Sequence, residues 1–224
     1  MSKTTLIAGA RGVVGQPLCG ALERIGHRVI RVSRSDASSE NKLKWDMANE
    51  SLPVIGPIDA MVHCAPIWLL PDHLQSLADF GLKRLIAFSS SSILSKQNTQ
   101  NPSEKMLVNL LRQGEQKTEA ECNRLGIGLT IFRPSMIYGL GLDQNISRLA
   151  RFIDRWGFAV VAGKADGLRQ PVRSIDLVDA VIKVLYLPTT PGCVYTLAGS
   201  EALSYRDMLK RIFTALNKPT RIIG

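Results

Sequence analysis

The chain lacks the features that mark several large classes of protein. Its four cysteines, Cys19, Cys64, Cys122 and Cys193, are scattered through 224 residues with no C-x-x-C pair. That spacing excludes a disulfide scaffold and is expected of reduced thiols in a cytoplasmic protein. No stretch approaches the roughly 18 uninterrupted apolar residues of a membrane span. The N-terminal run Leu6-Ile7-Ala8 is too short for a secretory signal. The three histidines, His27, His63 and His73, share no metal-ligand spacing with one another or with the cysteines, so no metal is expected. Aromatic residues make up only 6% of the chain and do not interleave with a basic run, which argues against nucleic acid as a partner.

What is present is a globular composition with a basic bias. Hydrophobic residues are 45% and the formal net charge is +9. Most of the excess lies in residues 121–224, where 14 bases face 8 acids. Such a bias suits a small anionic ligand or a plain solvated surface.

Apolar runs of strand length alternate with stretches of helical period. Strands are expected at Thr4–Ala8, Arg28–Val32, Leu43–Trp45, Ala60–Cys64, Leu85–Phe88 and Leu129–Phe132. Helices are expected at Val14–Ile25, where Val14, Leu18, Leu22 and Ile25 form one apolar face, and at Glu104–Leu125. This alternation predicts an α/β fold, a doubly wound parallel sheet with helices on both faces. After Pro134 the rhythm changes, with helices at Ile146–Trp156, Ile175–Leu187 and Ser204–Leu216 and a strand at Cys193–Leu197. We expect a dinucleotide-binding domain over 1–135 and a small substrate-side region over 136–224 packed on it.

Gly9-Ala10-Arg11-Gly12-Val13-Val14-Gly15 lies between the first strand and the first helix. Glycines there let backbone N–H groups approach a pyrophosphate at a helix N-terminus. In this strand–turn–helix setting the loop predicts a dinucleotide site. The end of the second strand chooses the cofactor. An NAD site usually carries an acid there to hold the ribose 2′-hydroxyl, whereas this chain has Ser33-Arg34 and no acid before Asp36. A guanidinium pairs with a 2′-phosphate through two hydrogen bonds, and Arg11 is placed to reach it from the other side. The expectation is NADP(H) in preference to NAD(H).

Further segments resemble the extended or atypical short-chain dehydrogenase/reductases, the NAD(P)-dependent epimerase/dehydratase family. They are Asp59-Ala60-Met61-Val62-His63-Cys64-Ala65, Phe88-Ser89-Ser90-Ser91, Gln116-Lys117-Thr118-Glu119-Ala120-Glu121 and Phe132-Arg133-Pro134-Ser135-Met136-Ile137-Tyr138-Gly139. The resemblance implies a Rossmann-type fold in which Asp46 and Met47 line the adenine. It places Cys64, Ala65 and Pro66 beside the riboses, and Ser89 and Pro134 near the nicotinamide. It makes Ser91 the catalytic Ser/Thr and Lys117 the lysine that holds the nicotinamide ribose. It also implies a homodimer through helices flanking the sheet, including the one that carries Lys117.

Two departures qualify that reading. The family's proton-donating tyrosine stands four residues before the lysine, where this chain has Gln113. Glutamine is no general acid, and loss of that step costs about 10²–10⁴ in rate. Met136 replaces the asparagine that resembles a sugar-nucleotide contact, which makes a nucleotide sugar a less favoured substrate. The expected function is therefore an NADP(H)-dependent oxidoreductase or epimerase/dehydratase-like enzyme without the usual tyrosine. Its substrate would be a small, anionic carbonyl or hydroxyl compound, with Arg148, Arg151 and Arg155 on one helix face near it. The alternative is a non-catalytic NADP(H)-binding redox sensor.

Overall fold

A computed structural model of the chain describes residues 3–35 and 39–224; Asp36 lies outside the described residues. Six parallel strands form most of the sheet: β1 (Thr4–Ala8), β2 (Arg28–Ser33), β3 (Lys42–Lys44), β4 (Ala60–His63), β5 (Arg84–Phe88) and β6 (Gly128–Pro134). A seventh, Cys193–Leu197, pairs in parallel with β6 and closes that edge. The spatial order is Cys193–Leu197, β6, β5, β4, β1, β2, β3. Chain order therefore reverses at β1, which has β2 on one side and β4 on the other. In such sheets the reversal opens a crevice at the carboxyl ends of the strands.

Both faces of the sheet are covered, which is why its strands are continuously apolar. Leu6, Ala8, Met61, Leu85 and Ile131 face a core shared with α2 (Leu74–Asp79) and α4 (Pro102–Leu125). Ile7, Val62, Ile86 and Phe132 face a second core under α1 (Gly15–Arg24) and α6 (Ser174–Tyr186). The sequence placed these elements within a residue or two. It did not foresee the single 3₁₀ turns at Ile67–Leu69 and Pro71–His73, α2, or the one-turn α3 (Ser92–Ser95).

The region after residue 135 divides in two. α6 and the strand Cys193–Leu197 return to the sheet. By contrast, α5 (Ile146–Trp156), α7 (Tyr205–Ala215) and the pair Ala159–Val160 with Ile222–Ile223 enclose a separate small core of Ile153, Ala159, Val161, Leu209, Ile212 and Phe213. The expected boundary at 135 thus does not divide the sheet from the rest, because the later half supplies one of its strands and one of its covering helices.

α4 is set by its ends and by one contact. Asn101 caps it, Oδ1 accepting from the Ser103 N–H at 2.9 Å, and Pro102 occupies the first turn where a missing N–H is harmless. Gly126 ends it at φ 66°. Midway, a Cβ on Gly114 would stand 2.9 Å from the backbone of Trp68, so glycine lets the 67–68 turn lie directly on the helix. One residue on, buried Glu115 accepts from the Arg133 guanidinium of β6, with Nε to Oε1 at 2.9 Å. A Gly114→Ala substitution is expected to cost about 1–3 kcal/mol through overpacking, read as a lower denaturant midpoint with unchanged slope.

Candidate functional site

The crevice starts at the glycine loop. Gly9 has φ +75°, and a Cβ there would meet the Cys64 carbonyl carbon at 3.0 Å; one on Gly15 would stand 2.3 Å from the Gly9 oxygen. The loop is folded on itself by Gly12 N–H donating to Gly9 O at 2.9 Å. No side chain caps the N-terminus of α1, and its first turn holds no acid. Within that turn Gln16 N–H donates to Gly12 O at 3.0 Å and Leu18 N–H to Val14 O at 3.1 Å, and the helix dipole at this end favours a phosphate.

One half of the crevice is a cavity of about 460 Å³. It brings together Gly9, Arg11, Gly12, Ser33, Arg34, Asp46, Met47, Cys64, Ala65 and Pro66, all of them expected there, with Trp45 and Leu69 as apolar walls. Arg11 Nη1 donates to Ser35 Oγ at 2.5 Å. Arg34 is exposed beside the Asp46 carboxylate, which lies below its usual pKa because the Asn49 side chain and the Ala48 N–H donate to it. Two guanidinium groups and two hydroxyls thus stand at one mouth.

The other half, about 380 Å³, shares Gly12, Cys64, Ala65 and Pro66 with the first. Val13, Val14, Ser89 and Pro134 line it as expected, together with Ile67, Trp68, Phe88, Ser90, Leu107, Leu111 and Ile137. Ser89 Oγ is buried without a hydrogen-bond partner. Ser91 immediately precedes α3 beside this half, its N–H donating to Pro134 O at 3.0 Å, but its side chain is not part of the lining. Gly15 acts behind the loop by its lack of a side chain.

Lys117 is not brought to the site. Lys117 and Gln113 are both exposed on α4. Six residues beyond Leu111 turn a helix by about 240°, away from the crevice. The pair that faces the crevice with the four-residue spacing of the expected tyrosine and lysine is Leu107 and Leu111. Glu115, a further four residues along, marks the same face. The inner face of α4 (Val108, Leu111, Gly114, Glu115, Thr118, Cys122) is the signal that fixes this register. The segment around Lys117 resembles the family's lysine segment only locally and lies off that face.

The arginines of α5 and the acid that opens α6 fall outside the crevice. Arg148, Arg151 and Arg155 are exposed on α5 and line neither half; Arg151 donates to Gly141 O at 2.9 Å, and Arg155 lies 5.2 Å from the Trp156 ring centre. Asp176, in the first turn of α6, pairs with Arg173 at 2.7 Å. Burial pushes the Cys64 thiol far above its usual pKa, which keeps it protonated.

His63 ends β4 beneath the turn that both halves share. Nε2 meets the Pro66 carbonyl at 3.1 Å, which requires the proton on Nε2 and leaves buried Nδ1 without a partner. Protonation would add a charge and an unpaired N–H in a dry place, and burial accordingly pushes the pKa down to about 4. Because the folded value lies below the unfolded one, the stability this neutral ring confers is present above about pH 6.5 and lost as pH falls towards 4. Denaturant titrations should show a loss of roughly 2 kcal/mol between pH 7 and pH 5. His63→Gln should remove most of that slope.

No family model matches the chain. Its sequence is 24% identical to UDP-glucose 4-epimerase of Vibrio cholerae, over 98% of this chain and 78% of that protein. Among solved structures, MoeE5 in complex with UDP-glucose and NAD is similar at a TM-score of 0.82 and 19% identity, covering 98% of this chain and 84% of that chain. UDP-glucuronic acid 4-epimerase from Bacillus cereus in complex with NAD gives a TM-score of 0.82 at 17% identity, covering 98% and 85%. These likenesses extend over the sheet, its helices and the later region alike.

Proposed function

We propose that this chain, which has the Rossmann-type fold of the extended short-chain dehydrogenase/reductases, binds NADP(H) along the carboxyl edge of its sheet without a tyrosine–lysine proton relay. It acts as a nucleotide-binding redox sensor or regulatory module. The observation that carries this reading is Leu107 and Leu111 on the crevice face of α4. Neither can donate a proton or hold a ribose hydroxyl, so a hydride transfer here would leave the substrate oxygen without a positioned acid. The nicotinamide belongs in the half they line, and the adenosine in the half with the arginines.

Arg11 and Arg34, with Ser33 and Ser35 between them, support NADP(H) over NAD(H), although the two structural relatives named above hold NAD. A 2′-phosphate offers these donors two negative charges that a 2′-hydroxyl lacks. Arg34→Asp is expected to weaken NADP(H) by tenfold or more, about 1.4 kcal/mol, with little loss for NAD(H), measured by calorimetry. Equal losses would remove the 2′-phosphate from this position.

A second reading, an oxidoreductase or epimerase-like enzyme on a small anionic carbonyl or hydroxyl compound, is favoured by Ser91, whose backbone is anchored to Pro134, a residue that lines the apolar half. Purified protein with NADPH and a varied carbonyl panel, and with NAD and UDP-glucose, separates the two. We expect binding without turnover above background. Turnover that is lost in Ser91→Ala would establish the enzyme instead.

A further inference from the structure

We infer that the crevice discriminates the redox state of its nucleotide, taking NADPH more tightly than NADP⁺; the inference rests on the reading that NADP(H) lies in it as proposed. The two forms share their phosphates, adenosine and riboses and differ only at the nicotinamide ring, which is cationic when oxidised and neutral when reduced. Whatever distinguishes them must therefore act in the half lined by Leu107 and Leu111.

That half carries no charged side chain among its described lining residues. Its walls are chiefly Val13, Trp68, Phe88, Leu107, Leu111 and Ile137. Moving a cationic ring from water against such walls costs free energy that a neutral ring of the same shape does not incur. The carboxylates on the same face of α4 give no relief. Glu104, one turn before Leu107, is held by Lys96 Nζ at 2.7 Å and by Thr99 Oγ1 at 2.5 Å. Glu115, one turn beyond Leu111, is held by Arg133. Each negative charge is already matched by a cation, so neither sets up a field for a positive ring. The unpartnered hydroxyl of Ser89 offers the ring carboxamide one hydrogen bond. The carboxamide is the same in both forms, so this contact adds affinity without choosing between them.

This selectivity separates the two halves by task. The arginine-bearing half supplies affinity common to both forms, and the apolar half supplies the difference. A ligand shifts a protein's state only through such a difference in affinity, which is what a sensor requires.

The test compares the two nucleotides on the full chain, NADPH by its own fluorescence and NADP⁺ by calorimetry, at one ionic strength. NADPH is expected to bind about tenfold tighter. Leu107 is half-buried at the cavity wall, so Leu107→Glu places an unmatched carboxylate beside the ring, and the ratio should fall to one or reverse. Arg34→Asp should weaken both forms alike and leave the ratio unchanged. Equal or tighter binding of NADP⁺ by the wild-type protein overturns the inference, and it does so even if Leu107→Glu does not fold. A folded Leu107→Glu protein with an unaltered ratio overturns it as well. Failure of both nucleotides to bind overturns instead the reading beneath it.

Discussion

The structure depends on a backbone-to-backbone contact between the loop after β1 and the turn after β4. Gly9, at φ +75°, lies against the Cys64 carbonyl, where a Cβ would be tight at 3.0 Å, and Gly15 lies against the Gly9 oxygen, where a Cβ at 2.3 Å would have no room. Closing that distance fixes the start of α1 relative to the ends of β1 and β4. It also explains why Gly12 and the Cys64–Pro66 turn belong to both halves of the crevice. His63 sustains the turn from below through the Pro66 carbonyl. The shape of the crevice is thus a property of three segments held close together, more than of any single polar side chain.

A second constraint decides the chemistry. α4 is locked in rotation by Gly114 against the Trp68 backbone and by Glu115 on Arg133. With those two positions fixed, helical geometry dictates which residues one and two turns nearer its start face the crevice, and they are leucines. The result is a site of two characters, cationic and hydroxyl-rich at one mouth, apolar at the other. Removing one partner of a buried ion pair costs several kcal/mol, so the rotation of α4 is firmly held.

Much of this was legible in the sequence, for reasons that can be named. Strands such as Leu6-Ile7-Ala8 and Leu85-Ile86-Ala87 are apolar without alternation because both sheet faces are covered, and that pattern survives without knowledge of contacts. The glycine loop and the residues around Ser33, Asp46 and Cys64 were legible because they sit at strand ends, where chain order alone fixes position. The register of α4 was not. Its inward face includes Glu115 and Thr118, which read as polar surface until Arg133 is seen opposite, whereas Lys117 looked like a motif and points to solvent. The turns over 66–73 escaped because they are too short for periodicity to register. The split of the later region escaped because the seventh strand pairs with β6 over 60 residues away.

That late strand has an evolutionary and practical consequence. The body built on the parallel sheet is not a detachable module followed by an accessory; it is a body interrupted by one. The segment with its own small core, α5 and α7, is threaded around α6 and Cys193–Leu197, which the body needs to complete its edge and shield α1. Truncation after β6 would expose a raw strand margin and a greasy helix flank, both prone to self-association. Variation that redesigns the outer lobe must therefore preserve the pieces that pass back through it, which channels change into the loops between them.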